Sequence, residues 1–291
     1  MSSHKPTCYT GAVTQSLPSV RHIAQLDLAA ASGIVRIEQR LYVIADDLLT
    51  LAVYDLQGVR VQTIELLPGE LPDEHAARKD AKPDFEALAS MPDGSLLALG
   101  SGSTQRRQRG VWVQQGHSRV VDLSELYTAL ASELPELNIE GAAVFGEHLY
   151  LCSRGNSARR DNALIALDLG RVLASLHADQ PLCAGSVLSI QRVALPLLDG
   201  VALSLTDLAV HNAQLVFSAA AEASANTYDD GACAGSVVGL LSVDGTASDL
   251  VTIASGLKLE GICSAGAQKL YAVADADDAH ARAPLMLIEP W

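Results

Sequence analysis

Apolar runs of strand length, about 4–8 residues, recur along the whole chain, separated by turns rich in Gly, Asp, Asn and Ser. Five segments repeat one design: a strand-like run, a turn, a second run that opens on Leu, and a polar stop. They read ASGIVRIEQRLYVIADD from Ala31, DFEALASMPDGSLLALGSGS from Asp84 and NIEGAAVFGEHLYLCSRGN from Asn138. The other two are LTDLAVHNAQLVFSAAAE from Leu205 and LEGICSAGAQKLYAVADAD from Leu259. Anchored at Ser32, Glu86, Glu140, Asp207 and Glu260, the units are 54, 54, 67 and 53 residues apart. A period near 54 lies above the ~40–45 residues of WD40 blades and close to the ~50 of kelch blades, but neither signature is present.

Two more strand-like runs follow each of the first four units: LAVYDL and VQTIEL, GVWVQQ and SRVVDL, ALIALDL and SIQRVAL, SVVGLLSV and SDLVTIA. Four short strands make one propeller blade. The fifth unit has only PLMLIEP before Trp291, and its missing strand is available in VRHIAQLDL, ahead of Ser32. The pattern therefore predicts an all-β, five-bladed β-propeller of four-stranded blades, its last blade completed by an N-terminal strand. Such closure removes open sheet edges. A β-helix or two packed sandwiches would not leave a terminal unit one strand short with its replacement at the opposite end. Residues 1–291 read as one domain, with 1–18 peripheral or flexible.

Three longer connections interrupt the pattern. PGELPDEHAARKDAKPD, between the first two blades, reads as a solvated charged loop. LSELYTALASELPELN, between the second and third, has apolar residues at helical spacing and predicts a short helix. SAAAEASANTYDDGACAG in blade 4 is expected to account for the 67-residue interval.

Composition narrows the function classes. Apolar residues make up 49% and charged residues 19%, which suits a buried core, and aromatics are only 4%, so Leu, Val, Ile and Ala must fill it. A net charge of −14 argues against nucleic acid as a partner, because binding its phosphates needs concentrated Lys and Arg. The N-terminus lacks the pattern of a secretory signal, and no apolar run reaches the ~18 residues of a membrane helix. A cytoplasmic, monomeric protein with no membrane partner is the expectation. Cys8, Cys152, Cys183, Cys233 and Cys263 are odd in number with no CxxC spacing, so reduced thiols are expected. CAGSV occurs at both Cys183 and Cys233, which leaves open that those two meet.

In a propeller the innermost strand of each blade lines the central channel, and its start emerges on the same face as the end of the second strand. The strand starts offer Asp84, Glu86, Glu140, Asp207 and Glu260. Counting five residues beyond the anchoring Leu, the second-strand ends offer Asp46, Ser101, Arg154, Ala220 and Asp275. Carboxylates gathered around one axis repel, and persist where a cation, an Arg or hydrogen bonds neutralise them. One reading is a cage for Ca²⁺ or another divalent cation, with Glu86, Glu140, Asp207 and Glu260 as ligands. The other is structural: each acid accepts backbone N–H bonds from the next blade. Arg154 is expected to form an inward ion pair with Glu140. Arg106, Arg107 and Arg109, with Arg159 and Arg160, sit on loops that either overhang the mouth, where they would suit a small anionic ligand, or are simply solvated. His117, His148, His211 and His280 show no ligand spacing, and no GxSxG, P-loop, HExxH or GxGxxG motif is present, so no organic cofactor is expected.

SGIVRIEQRLYVIADD followed by DFEALA resembles the opening of the SdiA-regulated and esterase-like phytase propellers, and NIEGAAVFGEHLYLCSRGN resembles the Asn-Ile-Glu-Gly…Arg-Gly segment of a related domain of unknown function. The resemblance implies Glu86, Glu140, Arg154 and Glu260 as mouth residues. Asp207-Leu208 departs from its Glu-Gly pair, Ser32 carries no acid, and members are often exported whereas this chain shows no signal. Two functions follow. In a metal-dependent hydrolase of phosphoester or lactone bonds, Glu140 or Glu260 would serve as ligand or base and Arg154 would stabilise developing negative charge. The alternative is a non-catalytic propeller that binds a ligand or protein through its loops.

Overall fold

The computed structural model describes residues 18–155, 161–222, 233–253, 256–275 and 281–291. The first strand, β1 (Ser19–Gln25), stands apart from its sequence neighbours. Blade 1 is β2 (Ala31–Ile37), β3 (Arg40–Ala45), β4 (Thr50–Asp55) and β5 (Arg60–Glu65). A helix, α1 (His75–Ala81), leads to blade 2: β6 (Phe85–Ser90), β7 (Leu96–Gly100), β8 (Arg109–Gln114) and β9 (His117–Asp122). After α2 (Ser124–Glu133) comes blade 3: β10 (Ile139–Phe145), β11 (His148–Ser153), β12 (Ala163–Asp168), the helix α3 (Leu169–His177) and β13 (Val187–Arg192). Blade 4 gains a two-residue fifth strand, β14 (Leu197–Leu198), beside β15 (Val201–His211), β16 (Gln214–Glu222), β17 (Cys233–Leu241) and β18 (Ala247–Ile253). Blade 5 holds β19 (Lys258–Gly266), β20 (Lys269–Asp275) and β21 (Pro284–Glu289), and its fourth strand is β1. β1 runs antiparallel to β21, with Val20 opposite Ile288 and Ser19 opposite Glu289. All sheets are antiparallel meanders, and the five inner strands β2, β6, β10, β15 and β19 contact one another in a closed ring.

The hydrophobic core is divided among the blade interfaces, because each sheet is apolar on both faces and must bury each against a neighbour. Five separate clusters result. One lies between blades 1 and 2 around Phe85, Leu51 and Val111; another, between blades 2 and 3, is enlarged by Leu126, Tyr127 and Leu130 of α2 and Val172 and Leu176 of α3. The remaining three join blades 3 to 4, 4 to 5 and 5 to 1. The Leu that opens each second strand (Leu41, Leu96, Leu149, Leu215, Leu270) is 0–4% exposed, which is why it marks the repeat.

Two expectations about connections change. The segment from Glu140 to Asp207 is long because α3 sits between β12 and β13 and β14 precedes β15. The inner loop of blade 4 follows Asp207, so it cannot lengthen that interval, and its residues 223–232 lie outside the described ones. The charged connection between blades 1 and 2 is ordered: α1 is capped by Glu74, whose carboxylate accepts the backbone N–H groups of Ala76 and Ala77 at 2.9 and 2.7 Å. No described helix is long and apolar enough to cross a membrane. Cys183 and Cys233 are both free thiols, and Cys8 is outside the described residues.

Candidate functional site

Each inner strand carries a β-bulge at the same point in its ladder with the second strand. The extra residue is Ser32 in blade 1, Glu86 in blade 2, Glu140 in blade 3, Thr206 in blade 4 and Glu260 in blade 5. A bulge leaves one residue unpaired and re-aims its side chain. The repeat of this geometry, spaced by 54, 54, 66 and 54 residues, is the true structural period. It corrects the register in blade 4, where the ring residue is Thr206 and Asp207 takes the place held elsewhere by Gly33, Ala87, Gly141 and Gly261.

That one-residue offset explains where Asp207 goes. Its carboxylate is buried and accepts the backbone N–H of Leu208 and of Ile262 in blade 5, both at 2.7 Å. It ties blade 4 to blade 5 and does not line the cavity at the mouth. Burial raises its carboxyl well above the usual range, against the pull of those two N–H groups. Ser32 plays a similar tying part by donating its hydroxyl to the carbonyl of Phe85 in blade 2.

The structure brings the other expected acids together. A cavity of about 570 Å³ opens at the mouth and is lined by Glu86, Glu140 and Glu260 from the bulges, and by Asp46, Arg154 and Asp275 from the second-strand ends. Asp84, just ahead of β6, joins them. Asp84 has φ +57, and its N–H donates to Asp46 O at 3.0 Å. Ser101 donates to Asp84 Oδ2 at 2.5 Å. Ala220 is buried and contributes no polar group; the charge from blade 4 comes two residues later, from Glu222.

Cations alternate with these acids. Arg154 pairs with Glu222 Oε2 at 2.8 Å and stands 3.7 Å from Glu140 Oε1, the inward pair expected of it. Lys258 lies 3.0 Å from Glu260 and 3.5 Å from Glu222. On the other side Lys82 contacts Asp46 and stands 3.0 Å from Asp84, and Arg107 reaches Asp84 Oδ2 at 2.9 Å. Of the loop arginines only Arg107 serves the mouth in this way: Arg106 pairs outward with Asp80, Arg109 lies in β8, and Arg159 and Arg160 are outside the described residues. Among the histidines, His211 bonds Ser264 through Nδ1 at 2.9 Å, His117 and His148 open β9 and β11, and His280 lies outside the described residues.

Burial dominates the acid–base properties. It pushes Glu140 up to about 8 despite Arg154, and Glu260 to about 7 despite Lys258 and Arg154. Asp46 rises to about 6 against the pull of Lys82. Glu86 is driven well above the usual carboxylate range by burial and by the charges of Asp84, Glu140 and Asp46. Protons shared among crowded carboxyls are the physical result.

Lys82, Lys258 and Glu222 were not among the expected site residues. Lys82 lies in a stretch with no apolar period, and Glu222 lies past the expected strand end. Lys258 alone carried a signal, since it stands two residues before Glu260 and so on the same strand face.

A divalent ion fits the expected ligand set poorly. Asp207 is elsewhere, Glu140 is held by the Asn138 amide beside Arg154, and Glu260 is held by Lys258. Oxygens of Asp46, Asp84 and Glu86 do lie within 4.8 Å of one another, but the Lys82 ammonium already sits on two of these carboxylates.

A family model described as a family of unknown function (DUF6929) matches residues 27–289. The chain belongs to that family. No curated protein matches its sequence. Among solved structures, the glutaminyl cyclase of Myxococcus xanthus superposes with a TM-score of 0.52 at 14% identity, covering 94% of this chain and 96% of that one. A GH130 structure, from work on mannoside phosphorylases and glycoside hydrolases that target β-1,2-mannosidic linkages, gives 0.50 at 7% identity, with 96% of each chain covered. At such identities the likeness shows the fold and nothing finer. The DUF6929 match spans every described strand from β2 to β21, and so includes the residues of the acid-lined mouth.

Proposed function

We propose that the mouth of this DUF6929 protein is an active site that hydrolyses an ester or lactone bond in a small polar molecule by proton transfer between carboxyl groups. The observation that carries the reading is the pairing of Glu140 and Glu260 with Arg154 and Lys258 on one cavity, where burial brings both carboxyls to titrate near neutral pH. A general acid or base works best when its pKa lies near the operating pH. Glu140, the higher of the two, donates a proton to the departing oxygen. Glu260, the lower, takes one from the attacking water. Arg154 stabilises the oxyanion as it develops. The likeness of the Ser-Gly and Asp-x-Glu segments to esterase-like phytase propellers supports hydrolysis as the reaction type. The surplus of carboxylates over cations favours a hydroxyl- or amine-bearing substrate over the anionic ligand that the loop arginines suggested.

Glu140→Gln should abolish turnover of a lactone and ester panel while moving the melting temperature by only a few degrees. Undiminished turnover in that variant overturns the reading. A non-catalytic binding role is favoured by one observation: Arg154 and Lys258 both grip Glu222, a clamp across blades 3, 4 and 5. That role predicts no turnover by the wild type on the same panel, together with melting shifts from small molecules that Glu140→Gln removes.

A further inference from the structure

The acidic pocket formed by blades 1 and 2 comes with its own cation. Oxygens of Asp46, Asp84 and Glu86 lie within 4.8 Å of one another, a spacing suited to an oxygen-ligated ion. We propose that Lys82 is a tethered counter-ion, standing where a divalent cation would otherwise sit and making this pocket independent of metal. Its Nζ contacts Asp46 and lies 3.0 Å from Asp84, with Glu86 as the third carboxyl of the pocket.

The way the chain delivers this side chain supports the assignment. Lys82 is the C-terminal cap of α1, and its backbone N–H donates to Arg78 O at 2.8 Å. The helix is pinned over the mouth at several points. Arg78 bonds the carboxylate and carbonyl of Asp47 at 3.1 and 3.0 Å, Arg107 bonds the carbonyl of Lys79 at 3.3 Å, and Arg106 pairs with Asp80 at 2.7 Å. Pro83 then leads to Asp84, so the ammonium and one of its carboxylates are fixed by the same short turn. The Lys82 side chain is 16% exposed. Burial alone would lower its pKa, but Asp46, Asp84 and Glu86 outweigh that and hold it above the ordinary lysine value. A lysine is a compact point charge on a flexible stem, which suits it to the middle of a carboxylate cluster better than the broad guanidinium of Arg107 at the rim.

The inference concerns residues of blades 1 and 2 and is read by melting, so its failure leaves the hydrolytic reading standing, and loss of that reading leaves this one standing. Wild-type protein and Lys82→Ala are melted in EDTA and in about 5 mM CaCl₂, above the ~0.1–1 mM Kd of weak oxygen sites. The wild type should move by less than about 1 °C between the two. Lys82→Ala should melt lower in EDTA and rise by about 5 °C or more with Ca²⁺, since an ion bound only by the native state stabilises it. Lys82→Met, which keeps most of the side-chain volume, should behave the same way. A Ca²⁺ shift in the wild type as large as in the variants, or no shift in either variant, overturns the proposal. If neither variant folds in EDTA, recovery of the fold on adding Ca²⁺ supports it and failure to recover overturns it.

Discussion

Gly141 stands where the inner strand of blade 3 comes closest to blade 4. A Cβ added there would lie 2.5 Å from the backbone N of Leu208 and 2.7 Å from Asp207 Cα, both main-chain atoms that cannot step aside. The residue after each bulge faces the neighbouring inner strand, and between blades 3 and 4 the approach is close enough to require Gly, whereas the same slot holds Ala87 in blade 2. Gly261 repeats the arrangement, with its Cβ position 3.0 Å from Ile34 N in blade 1. Gly141→Ala should cost about 3 kcal/mol, at the upper end of overpacking penalties, and lower the melting temperature by roughly 6–12 °C; a melt within a degree of wild type would show that the blades can part freely. In blade 4 the same slot holds Asp207, which uses its side chain to reach across to Ile262 N. Asp207→Ala strands two buried N–H groups and should cost about 2–4 kcal/mol, measurable as a fall in the denaturant midpoint with an unchanged m-value. These two neighbours in space show why an acid at the repeat position was ambiguous from sequence. Glu140 and Asp207 differ by one place in the bulge, and that place decides whether a carboxylate faces the cavity or the next blade.

At the scale of elements, β1 is the strand on which closure rests. It adds to β21, and Val20 packs against the cluster between blades 4 and 5, while Leu26 and Leu28 just after it enter the cluster between blades 5 and 1. Removing residues through Gln25 would leave β21 as a bare edge beside Met286 and Ile288, an invitation to pairing between chains. Such a truncation should sediment as larger species than the intact chain or aggregate, and a peptide of residues 18–30 supplied in trans should shift it back toward the sedimentation of the intact chain. A truncated chain that sediments like the intact one and melts cooperatively without the peptide would refute the closure argument. This element was legible because a missing strand and a spare strand are both visible as apolar patterns. α2 was legible for the same reason, its apolar residues recurring at helical spacing. α1 was not, since HAARKDA has no apolar face and is held by Glu74, Arg78, Arg106 and Arg107, through polar contacts that leave no periodic trace. The site divided along the same line: in blades 1, 2, 3 and 5 the acids on strand ends could be placed by counting, whereas the shifted register of blade 4 and the lysine delivered by α1 could not.

For the whole molecule, the crowded acids of the mouth set how stability responds to pH. Glu260 and Glu140 have folded-state pKa values of about 7 and about 8, against an ordinary value of 4.5. Between those limits the folded protein holds protons that the unfolded chain has already released. Unfolding then releases protons, so stability falls as pH rises; the contribution is complete below about 4.5 and is lost on passing about 7 and about 8. Other groups work in different windows. His211, held below its ordinary 6.5 by burial, favours the folded state as pH rises, but that effect is finished above 6.5. Asp46, at about 6, has largely titrated by then, and the lowered Asp27 and Asp122 act only in acid below their ordinary 3.8. Lys82 and Lys258, both raised, hold their charge beyond the ordinary 10.5. The range from pH 6.5 to 8.5 is therefore governed by the raised interior carboxyls: Glu140 and Glu260, joined in the same direction by Glu86 and Asp207, which burial also drives well above their ordinary values. Melting temperature should fall across it by roughly 3–6 °C, for a loss on the order of 1–2 kcal/mol. Glu140→Gln, which cannot ionise, should flatten the upper half of that slope while leaving the fall around pH 7 in place. A wild-type profile that is level or rising over this range would mean that Arg154 and Lys258 already hold both carboxyls fully charged. In that event the mouth is a permanent ion-pair network, and proton transfer through Glu140 and Glu260 loses its physical basis.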